Sequence, residues 1–409
     1  MNYQIETAKN GEPTLLLNDI YIYSKYNPKD DASKFVKKEY DENANCYFLV
    51  GLGLGYHLEA LLKLANNKRV IALAVDKQEI EIYKQFNPNL HLDGINNLEI
   101  ILELDSKIDL NEFQIIIPFS WMKAIGNKHR IHDVLEDIKI RQMSYNSLKD
   151  LLSSNFNKNI LNNDISLSVY KKAFIGDIGC LVSAGPSLDK TIEELKNAKE
   201  KCFVLAVGSA LNTLLKNNIN PDAVIITDSQ MNVVNQLNNK GYKGLLFYLS
   251  TANHQMTLIH EGQRVIIFQE GYLNAELEAH KRNEDTIETG GSVATTGFSL
   301  LEYMGFNSVV LFGQDLGFKG ESTHSNFSTS QKKVASSINY KKILANNGEY
   351  IYTTSNLSTY HRWFERKVQK SKVEILNMSW DGAKIEGAPF LGTVKLNKKL
   401  NNLVQKRSF

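Results

Sequence analysis

Five short stretches put small or polar residues at the ends of apolar runs, where they can hold a ligand. Ala184-Gly185-Pro186-Ser187-Leu188-Asp189 follows the run 179–183, Gly208-Ser209 follows 202–207, and Asp228-Ser229-Gln230 follows 223–227. Thr289-Gly290-Gly291-Ser292-Val293 opens an apolar helical pattern, and Gly313-Gln314-Asp315 follows the run 308–312. Backbone N–H groups and hydroxyls at a helix start suit a phosphate, because the first-turn N–H groups lack intrahelical acceptors and the helix dipole favours negative charge. One such end is ordinary turn chemistry; five in sequence favour a ligand crevice.

A second glycine motif, Gly51-Leu52-Gly53-Leu54-Gly55-Tyr56-His57, stands between an apolar run at 46–50 and a helical pattern at 58–64. Asp76 ends the next apolar run, 69–75, at the spacing of about 20 residues at which an acid meets ribose hydroxyls in nucleotide-binding βαβ units. Two readings stand side by side: a dinucleotide or S-adenosylmethionine site, or a Rossmann-like scaffold whose glycines only permit tight strand-to-helix packing. Residues 100–125 supply no methyl-transfer constellation.

Periodicity sets out the elements that position these residues. Alternation at 14–17 and 20–24, with turns at Asn10-Gly11 and Asn18-Asp19, predicts a small antiparallel β cap. A helix follows Pro28 over 30–39, where early acids and late lysines suit the dipole. Residues 127–161 read as helical, with Leu135, Ile138, Met143, Leu148 and Leu151 at helical spacings. Strand, turn and helix then repeat three times from residue 179, with further strands at 244–249, 264–268 and 308–312. The prediction is an α/β chain: a β cap and Rossmann-like N-terminal domain (1–125), a helical connector (126–170), a central doubly wound, mostly parallel domain (171–325), and C-terminal helices completing it (326–409). In such a sheet the polar strand ends line one edge.

Composition narrows the classes. With 409 residues, two to three domains of roughly 150 residues are expected. A chain 43% hydrophobic and 22% charged is neither disordered nor fibrous, and 47 basic against 45 acidic residues, with no basic stripe, disfavours a nucleic-acid partner. Cys46, Cys180 and Cys202 stand singly in apolar surroundings and read as reduced core thiols. The N-terminus lacks the features of a secretory signal, and no window approaches the ~20 apolar residues of a membrane span, so the expectation is a cytoplasmic protein without membrane insertion.

Through residues 184–189, Gly291-Ser292-Val293-Ala294-Thr295-Thr296 and Gly313-Gln314-Asp315-Leu316, the sequence resembles the motility accessory factor (Maf) family of flagellin glycosyltransferases. Tyr23-Ser24-Lys25-Tyr26 with Asp30 and Asp31 looks like that family's N-terminal signature, residues 51–57 like its first βαβ turn, and 377–387 like its C-terminal glycine-containing segment. The central region is similar, more distantly, to bacterial sialyltransferases, and an archaeal pterin pyrophosphokinase family shares the Gly-Pro-Ser-Leu turn.

The Maf resemblance implies transfer of a nine-carbon, CMP-activated sugar acid of the pseudaminic or legionaminic type onto Ser or Thr of flagellin. CMP-nonulosonic acid is then the donor substrate, with no tightly bound cofactor and no metal. Similarity to the sialyltransferases implies that cytidine and ribose lie against Gly185, Pro186, Ser187, Leu188, Ser209, Asp228, Ser229 and Gln230. It implies the phosphate near Ser292, between Gly291 and Val293, with Gln314 in the same nucleotide-sugar set. Thr353, Asn377 and Ser379 are expected at the sugar or acceptor.

Two sialyltransferase roles do not transfer: the active-site tyrosine after Gly-Ile-Asp is matched here by Gly317-Phe318, and the catalytic histidine falls opposite Thr353. Of nine histidines, His324, in the loop 319–327, is the best remaining base, against an ordinary exposed loop histidine. Asp315 is an alternative base or an orienting acid, against a structural Asx turn. His254 contacts the sugar carboxylate or caps a helix. His129 and His132, at i,i+3 spacing without a nearby acid, read as a solvated face and not a metal pair. Lys341, Lys342, Arg362, Arg366 and Lys367 form a basic run on C-terminal helices, a solvated face or a surface for the acidic sugar or flagellin.

Two other classes remain. An Mg-dependent 6-hydroxymethylpterin pyrophosphokinase-like enzyme needs several clustered acids, where 227–230 has one. A non-catalytic flagellin-binding scaffold is the other. The glycine-rich N-terminal unit is expected to be an accessory domain.

Overall fold

Asn18 and Asp19, at φ 49° and 64°, form the two-residue turn that folds β2 (Pro13–Leu17) onto β3 (Ile20–Tyr21), while β1 (Tyr3–Thr7) pairs antiparallel with the other side of β2. This is the expected β cap. The computed structural model describes residues 1–88, 97–102, 113–126, 130–320, 323–330 and 340–403. They fall into two units, Met1–Tyr145 and Asn146–Phe409.

In the first unit α1 (Pro28–Glu39) begins on its proline, with Asp30 and Asp31 in its first turn and Lys37 and Lys38 in its last. β4 (Cys46–Val50), α2 (Tyr56–Ala65), β5 (Arg69–Leu73), α3 (Lys77–Phe86), β6 (Leu98–Ile101), β7 (Gln114–Ile116) and α4 (Phe119–Ile125) follow. Their four strands make a parallel sheet in the order β6-β5-β4-β7. The division between units lies inside α5 (Arg130–Asn159), on which Leu135 and Ile138 are buried but Met143 and Leu151 are exposed.

The second unit supplies β8 (Ile178–Val182), α6 (Ile192–Lys199), β9 (Phe203–Val207), α7 (Gly208–Lys216), β10 (Ala223–Ile226), β11 (Leu245–Leu249), α8 (His254–Ile259), β12 (Arg264–Gln269), α9 (Leu273–Arg282), β13 (Thr286–Ile287), α10 (Val293–Met304) and β14 (Ser308–Phe312). Then come β15 (Lys341–Leu344), β16 (Tyr350–Thr353), α11 (Ser355–Lys370), β17 (Glu374–Asn377) and α12 (Thr393–Asn401). The main sheet runs β13-β12-β11-β10-β9-β8-β14-β17, with every pairing parallel. β8, β9 and β14 are buried along their whole length, which requires continuous apolar strands because helices cover both faces. Strand order grows outward from β8 to β13 and then reverses to β14 on the other side of β8. A parallel sheet opens its ligand crevice at such a reversal.

The C-terminal part corrects the expectation of helices alone. It contributes β17 to the sheet edge and the antiparallel hairpin β15–β16, so Lys341 and Lys342 lie on a strand and not on a helix. Lysine-rich segments carry little helical periodicity, and here alternate residues of β15 are covered. Cys180 and Cys202 are buried, Cys46 is half-buried, and none of the three is in a disulfide. Among the described residues no helix is long and apolar enough to cross a membrane.

Candidate functional site

The reversal between β8 and β14 is stitched together by the two motifs that end these strands. Gly185 N donates to Gly313 O at 2.9 Å, and Ser187 N donates to Asp315 Oδ2 at 2.8 Å. Ser183 Oγ donates to Gln314 Oε1, and Ser187 Oγ donates to Ser379 Oγ, just after β17, at 2.8 Å. Only glycine fits at 185, since a Cβ there would stand 2.2 Å from Asp315 Oδ2 and 2.5 Å from Gly313 O. The Gly-Pro-Ser-Leu turn therefore spends its N–H groups on the protein itself; Leu188 N donates to Gly185 O. What it offers a ligand is shape, not free donors.

Asp315 is buried, and burial raises its pKa against the opposing hydrogen bonds of Ser187 and Ser379. Its Oδ1 is a buried acceptor without a partner. Ser379 is buried behind the turn, and Asn377 Oδ1 accepts from Ser379 N at 2.9 Å while its Nδ2 has no partner. The loop carrying His324 is hooked onto this turn: Ser325 N donates to Ala184 O, and Asn326 N donates to Asp189 Oδ2. His324 itself is half-buried, with Nδ1 2.8 Å from Thr323 Oγ1. Thr353 is less available than expected. It is buried on β16 and its hydroxyl donates to Leu316 O at 2.8 Å. Phe318, opposite the missing tyrosine, is buried and pairs through its backbone with Tyr352.

Further along the edge, Ser292 caps α10 with a reciprocal box: its Oγ accepts from Thr295 N while Thr295 Oγ1 accepts from Ser292 N. The N–H groups of Val293 and Ala294, in the first turn, have no acceptor within the helix. Gly291, exposed at φ +87°, brings the chain to that helix start. Ser209 is half-buried in the first turn of α7. Asp228 Oδ1 accepts from Gln230 N, an Asx turn that presents Gln230 to solvent and buries Ser229.

Sequence reasoning missed the residues that hold His254. Asn155 and Asn159 of α5 reach the ends of β10 and β11: Asn155 Nδ2 donates to Ser229 O, and Asn159 Nδ2 donates to Ser250 O and Ala252 O. Asn159 Oδ1 lies 2.9 Å from His254 Nδ1. Burial, with Lys158 and Arg264 nearby, lowers the His254 pKa. Two buried amides four residues apart on a helix were the available signal.

The glycine motif of the first unit is filled from within. Glu79 Oε1 accepts from Leu52 N and Gly53 N, and its Oε2 accepts from Val75 N, so one carboxylate occupies donors that a nucleotide would need. Tyr23 Oη donates to Leu52 O and accepts from Leu54 N. Burial raises Glu79 to about 7 despite those N–H donors, and pushes His57 down to about 3. Asp76, the expected ribose acceptor, is instead the N-cap of α3, accepting from Glu79 N. His129 lies outside the described residues. Near His132, contrary to the expectation of no acid, Asp133 and Glu136 offer ligand atoms within 4.8 Å of one another and of the imidazole. In the basic run, Lys367 pairs with Glu288 and Glu302, and Arg362 donates to Ser358 and Thr359.

Beside the Gly-Pro-Ser turn, a cleft of about 400 Å³ includes Ser187, Lys190, Glu194, Trp380, Asp381 and Phe390 in its lining.

Residues 152–321 match the family model described as 6-hydroxymethylpterin diphosphokinase MptE-like. The solved structure of a Maf glycosyltransferase from Magnetospirillum magneticum AMB-1 superposes with a TM-score of 0.55 at 16% identity, covering 99% of this chain and 72% of that one. The resemblance read from the motifs is thus borne out at the level of the fold. An uncharacterized protein of Treponema pallidum (strain Nichols) is 25% identical over 238 residues, 53% of this chain. The match spans 41% of that relative's length.

Proposed function

We propose that this chain is a glycosyltransferase that moves a nonulosonic acid of the pseudaminic or legionaminic type from its CMP-activated donor to Ser or Thr of flagellin. The observation that carries the reading is the Maf-like fold over 99% of the chain, with the sequence motifs meeting at the strand-order reversal. The nucleotide would lie along the carboxyl edge from Gly185 to Gln230, with its phosphate on the N–H groups of Val293 and Ala294. Developing charge on a departing monophosphate is matched by such fixed donors. In the transfer the acceptor oxygen bonds to the anomeric carbon, the C–O bond to CMP breaks with its electron pair leaving on phosphate, and the hydroxyl proton passes to a base. His324, hooked over the Gly-Pro-Ser turn, is the proposed base, and Asp315 is the alternative or the orienting acid. His254 would meet the sugar carboxylate by a hydrogen bond.

CMP is expected to raise the unfolding temperature of the full chain, and 6-hydroxymethylpterin is not. Ser292→Gly, which costs a helix cap only a few tenths of a kcal/mol, and Asp228→Asn should reduce the CMP-induced rise with the unliganded fold nearly intact. Absence of any rise at millimolar CMP would sink the reading.

The family-model match favours one second reading, an ATP-dependent pterin diphosphokinase. It needs acids for Mg²⁺. The crevice edge offers Asp228 and Asp315, and Asp315 Oδ2 already accepts from Ser187 N. Phosphoryl transfer to the pterin that is lost on adding EDTA would establish it.

A further inference from the structure

The cleft beside the Gly-Pro-Ser turn has a composition unlike the nucleotide edge. Trp380 stands half exposed, its ring centroid 4.7 Å from that of Phe390, so two aromatic rings share the lining of the cleft. Met378, buried, belongs to that lining. The same lining holds two carboxylates and one ammonium: Asp381 accepts from Lys190 Nζ and from Asn347 Nδ2, and Glu194 accepts from Thr393 Oγ1 at 2.7 Å. Each carboxylate retains lone pairs beyond these bonds.

An excess of carboxylate over ammonium disfavours phosphate or a sugar acid, and suits a ligand that donates hydrogen bonds without carrying negative charge. A pyranose has that chemistry. Its axial C–H bonds form an apolar face that lies on the electron-rich face of an indole, and its hydroxyls donate to carboxylates. At about 400 Å³ the cleft lies near the lower end of the ~300–1,000 Å³ range of ligand sites, the size of one substituted ring.

We propose that this cleft is a second saccharide site, binding an uncharged pyranose ring stacked on Trp380 with hydroxyls on Asp381 and Glu194. Since Ser187 lines it, the bound ring stands next to the turn assigned to the donor, and the site goes beyond the donor reading.

Of the three tryptophans, Trp121 is 0% and Trp363 3% exposed against 50% for Trp380, so acrylamide quenching of the full chain reports on Trp380. Titration with glucose, galactose and N-acetylglucosamine, to on the order of 100 mM for weak sugar binding, is expected to shield the quenchable fluorescence with at least one of them. Asp381→Asn, which keeps the reporter tryptophan, should weaken binding about tenfold. No shielding by any of the three sugars overturns the proposal, as does shielding by CMP or N-acetylneuraminic acid in their place. Sugar shielding without a CMP-induced thermal shift would leave this site standing while the donor reading falls.

Discussion

At the scale of single residues, the proposed site gives donor binding and chemistry to different side chains. Asp315 holds the Gly-Pro-Ser turn through Ser187 N, a bond that Asn at 315 can still accept. Asp315→Asn is therefore expected to keep the fold and the CMP-induced thermal shift. If the carboxylate is base or orienting acid, transfer falls by about 10²-fold or more, the range seen for loss of general acid–base groups. His324→Gln should show the same split, measured as single-turnover release of CMP from the donor. An equal loss of CMP binding in both variants would make these residues structural. The sequence made Asp315, Ser187 and Gln314 legible because strand ends cluster at a switch point in any doubly wound sheet. It hid the anchoring role of Ser379, which is 192 positions from Ser187 in sequence, and the amides of Asn155 and Asn159, since only the folded helix brings them to the sheet.

At the scale of elements, strands, glycine turns and helix caps were readable because their signals are local: apolar runs, the acids and lysines of α1, the Ser292 box. The first βαβ unit was ambiguous for a physical reason. A loop that cradles phosphate and one that cradles a carboxylate both need glycines, and the carboxylate here comes from Glu79, one turn inside the next helix. Its pKa is raised from 4.5 to about 7, so the folded state binds more protons than the unfolded chain between those values. The stability Glu79 contributes should fall as pH rises through that window and level off above it, opposed by His57, whose pKa is lowered from 6.5 to about 3 and whose contribution grows as pH rises between those values. Glu79→Gln removes the titration and places an amide donor among N–H groups, so the falling contribution should disappear, leaving a slope more positive than the wild type's, and stability should drop by about 1–3 kcal/mol. Denaturant unfolding between pH 4.5 and 8 checks both; an unchanged slope would show that Glu79 does not titrate there.

At the scale of the whole molecule, the chain pairs a self-filled Rossmann-like unit with a unit that carries the open crevice. Gly53 has φ +52°, and a Cβ there would stand 2.6 Å from Tyr23 Oη. Gly53→Val is expected to destabilise the fold by several kcal/mol yet leave CMP affinity within about twofold below its lowered melting temperature, with no S-adenosylmethionine or NAD found by mass spectrometry in the wild-type protein. Co-purified cofactor would contradict the accessory role. Transfer itself is read by intact-mass analysis of flagellin, after co-expression with this protein in a strain making one defined nonulosonate. The expected result is one or more mass increments of that sugar acid on flagellin, absent when this protein is not co-expressed. Flagellin of unmodified mass beside folded, CMP-binding protein would contradict the account, and normal modification when His324, Asp315 and Ser292 are all replaced would assign the chemistry elsewhere and leave this chain a scaffold.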